Sequence, residues 1–135
     1  MTREGSAMKA DATLDLLLDL KHDLGKYMVL PIALLPGDAD PAAVRAALER
    51  ALRQTRSTRG VTRSAREIWQ GFHDELAAVL APESGLDDLR IAVERALAWE
   101  HALSVQDALD RAALERDFHA VQVAIAALID EARGG

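Results

Sequence analysis

The stretch Leu20-Lys21-His22-Asp23-Leu24-Gly25-Lys26 gathers the residue types of this chain best suited to chemistry. An imidazole is substantially neutral near pH 7, so a ring nitrogen of His22 can attack an activated phosphorus. On a helix, His22 lies at the border between an apolar stripe and an acidic face. Its neighbours one turn away are Leu18 and Asp19 on one side and Gly25 and Lys26 on the other. Asp19 is placed to accept a hydrogen bond from an imidazole N–H and hold the ring. Lys26 is placed to neutralise an incoming phosphoryl oxygen. Glycine inside a helix costs about 1 kcal/mol relative to alanine. Gly25 is therefore best explained by something that comes close beside His22. The candidate catalytic set is His22, Lys26 and Asp19, with Gly25 as clearance for a partner. No glycine-rich phosphate loop accompanies it, so the phosphoryl donor would be another protein or a small phosphodonor.

His22-Asp23-Leu24 resembles the phosphoacceptor box of the histidine-kinase dimerisation and phosphotransfer domain. There a histidine on a helical hairpin is followed by an acidic residue, a leucine-type residue and a basic or polar one. His22-x-Leu24 with Gly25 and Lys26 nearby is also similar to histidine-containing phosphotransfer domains, which are small helical bundles. The resemblance covers the segment 20–26. It implies a bundle that takes a phosphoryl group on His22 and passes it to a response regulator. The order Gly25-Lys26, the bulky Tyr27 and Met28, and the distant Pro31 depart from those patterns. A second likeness is to HD-domain phosphohydrolases, whose metal-binding H-D pair is often followed by a leucine-type residue, Gly and Lys. It implies a metal-dependent phosphohydrolase. That family uses an earlier histidine, and none precedes His22; the remaining assignment takes His22 first and His73-Asp74 as the pair. Beside both stands the reading of His22 as an interfacial residue of a bundle, with no catalytic role. Neither a cofactor nor a metal is expected. Glu115 and His119 do not give the Glu-x-x-His spacing of a di-metal bundle.

The second candidate site is a charge anomaly. The chain of 135 residues carries a net charge of −6. Residues 45–66 carry +6, while residues 1–44 carry −3 and residues 67–135 carry −9. Arg53, Arg56, Arg59, Arg63 and Arg66 surround Gly60 in a segment rich in Ser and Thr. Arginine forks match phosphate and carboxylate. No aromatic residue is interleaved, so base stacking is not indicated. The plainer alternative is that these arginines only offset the acidic helices.

The elements that must position these residues are helical. Ala and Leu dominate, and only five residues are aromatic. No stretch alternates long enough for a strand. A first helix is expected over about Asp11 to Leu35. Leu14, Leu17, Leu18, Leu24 and Met28 would face inward, and Asp15, Asp19, Asp23 and Lys26 outward. Pro31 should bend or end it. Asp40-Pro41 reads as an N-cap and first helical residue, opening a helix with Val44, Leu48, Ala51 and Leu52 inward. The polar segment 55–63 reads as a loop. Ser64-Ala-Arg-Glu67 is a capping box before a helix carrying Ile68, Trp69, Phe72, Leu76, Val79 and Leu80 inward and ended by Pro82. Ser84 or Asp87 would cap a fourth helix through Leu86, Leu89, Val93 and Leu97. Ser104 and Asp107 would restart a fifth, unless the two form one rod. Leu114, Phe118, Val121, Ile125 and Leu128 give a last helix the spacing of bundle packing. Ile91 and Trp99 give the fourth helix a second apolar face, suited to central burial or to a second copy.

The absence of cysteine excludes disulfide scaffolds and thiolate zinc sites. No apolar run reaches the roughly 18–20 residues of a membrane span. The opening MTREGSA leads into an amphipathic stretch rather than a signal core, which points to the cytoplasm. The expected fold is all-α, one domain over residues 1–135 built as an antiparallel bundle of four to five helices, frayed at 1–8 and 133–135. The expected function is that of a small interaction or adaptor protein without catalytic activity of its own. Its partner would be another protein, either acidic or a response regulator, and a homodimer is a further expectation. Nucleic acid and membrane are not expected partners. The alternatives are a phosphotransfer-like module acting through His22 and, more remotely, a degenerate metal phosphohydrolase.

Overall fold

The computed structural model describes the backbone of residues 2–53, 55–56, 62–81, 84–105 and 109–134. Among these the chain forms five helical rods, an all-α bundle. The first rod comprises α1 (Thr2–Asp23), a π-helical segment (Leu24–Val29) and α2 (Leu30–Ala33). The others are α3 (Pro41–Arg53), α4 (Ala65–Val79), the broken pair α5 (Leu86–Leu97) and α6 (Trp99–Val105), and α7 (Arg111–Gly134). α7 packs against both α1 and α5, and α1 is also covered by α4.

Pro31 neither ends nor sharply stops the first rod. It sits in the first turn of α2. Proline has no N–H and collides with the carbonyl four residues earlier in an α-helix. The π segment lies immediately before it and widens the turn: the Leu30 N–H donates to the Gly25 carbonyl, five residues back. Regular bonding then resumes, with Leu34 N donating to Leu30 O at 2.9 Å. The wider turn also explains the core spacing. Leu20, Leu24, Met28 and Ile32 are all buried although they lie four apart throughout, a repeat that drifts around an ordinary α-helix but not around one that takes an extra residue.

The other elements follow their local signals. Asp40 Oδ1 accepts from Ala43 N at 2.8 Å, and Ser64 Oγ accepts from Glu67 N at 3.3 Å. All four inward residues expected of α3 and all five expected of α7 are buried. Some assignments need correction. Leu18 is exposed and Leu20 takes its place in the core, because α4 and α7 cover the other flank of α1. The same double coverage buries Asp23, expected on the outer face. Val79, the last residue of α4, is exposed. Asp87 lies inside the first turn of α5; the Ser84 hydroxyl accepts from Leu86 N at 3.4 Å, and Glu131 of α7 accepts from Gly85 N at 3.2 Å. Residues 55–63 are not wholly a loop: β1 (Thr55–Arg56) and β2 (Thr62–Arg63) pair antiparallel. Ser104 belongs to α6 rather than starting a new helix. Pro82 and Asp107 lie outside the described residues. No helix among the described residues is long and apolar enough to cross a membrane.

Candidate functional site

His22 is the last residue but one of α1, two before the start of the π segment. Its side chain is 49% exposed, while the neighbouring Asp23 side chain is fully buried. His22 Nδ1 meets Asp23 Oδ1 at 3.3 Å, the long end of a hydrogen bond. Asp23, not Asp19, is therefore the carboxylate that holds the ring. Asp19 is exposed on the preceding turn. A carboxylate on Nδ1 favours the tautomer that leaves Nε2 as the nucleophilic nitrogen. Among the described residues Nε2 has no hydrogen-bond partner.

Tyr27 links His22 and Lys26, a contact that no spacing in the sequence signals. The His22 ring meets it edge-on at 6.1 Å between centroids, and Lys26 Nζ lies 5.4 Å from the centre of the same ring. The Lys26 contact is a cation–π geometry. Lys26 also borders a groove between the first rod and α3, formed by Leu30, Pro31, Leu34 and Ala46, with Arg50 on the far side. Gly25 is open: beyond its own turn of backbone, an added Cβ would meet no atom of the described residues within 4 Å. The fold itself thus places no demand for glycine there.

The arginine segment divides. Arg53 ends α3 and Arg66 is the second residue of α4, both exposed, with β1 and β2 between them in the chain. They converge on one shallow cleft of about 330 Å³ against α5 and α6, lined also by Leu97, Ala98, Glu100 and His101. Arg66 Nη2 lies 3.8 Å from Glu100 Oε2. Arg59 lies outside the described residues; Arg56 and Arg63 are placed by backbone alone, on β1 and β2. Arg45, also in the basic segment, serves the fold instead: its guanidinium donates to the Leu103 carbonyl at 2.7 Å, near the end of α6.

His73 and Asp74, the alternative H-D pair, lie on α4, with His73 Nδ1 3.5 Å from Asp74 Oδ1 and the His73 ring stacked at a tilt 5.4 Å from Trp69. Glu115 is bound by Arg111 at 2.7 Å. No cluster of three His, Asp or Glu side chains able to hold a metal occurs among the described residues. Trp99 turns towards α7, and its Nε1 donates to Asp117 Oδ2 at 2.9 Å. Ile91 remains exposed. No protein-family model, curated protein or solved structure matches this chain.

Proposed function

We propose that the chain is a small cytoplasmic interaction module, without catalytic activity of its own, that presents its arginine face to an acidic protein. The observation that carries this reading is the convergence of Arg53 and Arg66. They come from the ends of two different helices, and both line one shallow cleft while keeping their side chains exposed. Guanidinium groups held on helix ends are presented to carboxylates at lower ordering cost than groups on a free loop. The test is binding of a fluorescein-labelled oligo-glutamate peptide to the wild-type chain and to Arg53→Gln/Arg66→Gln. Binding should weaken steadily as salt rises, because exposed charges are screened beyond roughly 10 Å at 0.1 M. It should be much weaker in the variant. Equal binding by both chains, or no dependence on salt, removes the reading.

A second reading is favoured by a separate observation, the His22–Asp23 pair. An exposed imidazole with a buried carboxylate on Nδ1 is arranged for attack through Nε2, and open space lies beside it at Gly25. In this reading Nε2 takes a phosphoryl group from a phosphoprotein or a small donor and yields it to a response-regulator carboxylate. Treatment with phosphoramidate followed by intact-mass measurement should show one acid-labile phosphoryl addition that His22→Gln lacks. Equal labelling of both, or of neither, ends this reading and leaves the first untouched.

A further inference from the structure

The cleft beneath Arg53 and Arg66 does not stand alone. At Ala98 and His101 it meets a wider cleft of about 540 Å³ that these two residues also line. The second cleft is walled by Arg95 of α5 and Arg116 of α7, with Trp99 and Asp117 between them. Helical geometry explains the junction. Leu97, Glu100 and Ser104 face one cleft and Arg95, Trp99 and Ala102 the other, and Ala98 and His101 lie on the arc between them. Ala98 is also the break between α5 and α6, and it is exposed. Its short side chain is all that residue 98 raises between the two hollows.

The charges along this path are unbalanced. Its two carboxylates are engaged: Glu100 by Arg66, and Asp117 by the Trp99 indole, with Arg116 Nε at 3.8 Å. Arg53 and Arg95 form no ion pair among the described residues. The positive surplus therefore runs from Arg53 and Arg66 past Ala98 to Arg95 and Arg116, although the last two belong to the segment whose net charge is −9.

We propose that an extended acidic segment of a partner protein lies along this path. Its carboxylates are taken at one end by Arg53 and Arg66 and at the other by Arg95 and Arg116, and its backbone crosses at Ala98. The first half of the path rests on the interaction reading above; the second half is new. A peptide fits better than a nucleic acid on two counts. The one indole on the path is partly buried and tied to Asp117, so it offers no free stacking platform. The net charge of −6 repels a long polyanion more than a short acidic stretch.

The test uses the same oligo-glutamate probe, read by fluorescence anisotropy at low salt, on the full chain. Arg95→Gln/Arg116→Gln should bind about tenfold more weakly, the combined effect of two partly exposed charge pairs. Arg95→Lys/Arg116→Lys should recover part of the loss. Circular dichroism checks that each variant folds; should the Gln pair not fold, the Lys pair decides by binding more weakly than wild type. If the Gln pair binds like wild type while Arg53→Gln/Arg66→Gln does not, the inference is overturned and the interaction reading stands. If the wild-type chain does not bind the probe, both fall. Tighter binding of single-stranded DNA of equal charge, lost in the same variants, overturns the proposed occupant.

Discussion

Asp23 shows how one residue can change sides between sequence and structure. A wheel drawn at 3.6 residues per turn sets it among the outer acids, with Asp19 as the partner of His22. Yet Asp23 lies on the flank of Leu20, and α4 and α7 together cover more of α1 than one neighbour would. The buried face widens and takes the carboxylate in. A charge so buried must be paired, and His22 supplies part of that pairing. The place of the histidine at the rim of the stripe was legible in the sequence; whether it is exposed was not. Nor was its orienting group, because that depends on which neighbouring helices arrive. Gly25 permits a separate prediction. A Cβ there meets nothing, so Gly25→Ala should raise stability by about 0.5–1 kcal/mol through the less flexible unfolded chain. Urea unfolding checks this. A loss of stability would mean that the π turn itself needs glycine.

At the scale of elements, what was legible depended on whether the signal was local. The caps at Asp40 and Ser64 are made within four residues, and the structure contains both. The stripe of α7 was readable because it repeats over many turns. The π segment carries a signal of its own: the spacing Leu20, Leu24, Met28, Ile32 has no three-residue step, which an α-helix of that length requires. The hairpin is too short for any alternation to show. The clasps between elements were invisible because their two ends are far apart in the chain. Arg111 is the clearest of these. From the start of α7 it donates to the Leu35 and Pro36 carbonyls and to Glu115, tying the turn after α2 to the last helix. Arg111→Met keeps the aliphatic stem and removes all three bonds. It should cost about 1–2 kcal/mol, since each net hydrogen bond contributes roughly 0.5–1.5 kcal/mol and the freed carbonyls can reach water. Thermal unfolding measures it, and an unchanged midpoint would show that the clasp is idle.

For the whole molecule, the decisive packing is non-local. Phe118 is 1% exposed within the one hydrophobic cluster that all five rods share. Phe118→Ala should cost about 3–5 kcal/mol, enough to threaten the fold of a domain whose whole stability is of order 5–15 kcal/mol. A cost below about 1 kcal/mol in urea unfolding would contradict the burial of its ring.

The place of α7 also governs time. It packs against α5, its neighbour in the chain, and against α1, so its contact with α1 joins opposite ends of the described residues. Until it docks, Leu17, Leu20 and Leu24 present a sticky strip to water. A nucleus that includes the α1–α7 contact has a long loop to close, and forms more slowly than one built on the local helix contacts of a bundle. Before that moment the chain is at its most prone to aggregate and most in need of a chaperone. A chain lacking Arg111–Gly134 should stay in that state, with helical circular dichroism but no cooperative melting. A sharp melting transition from the shortened chain would place the nucleus elsewhere.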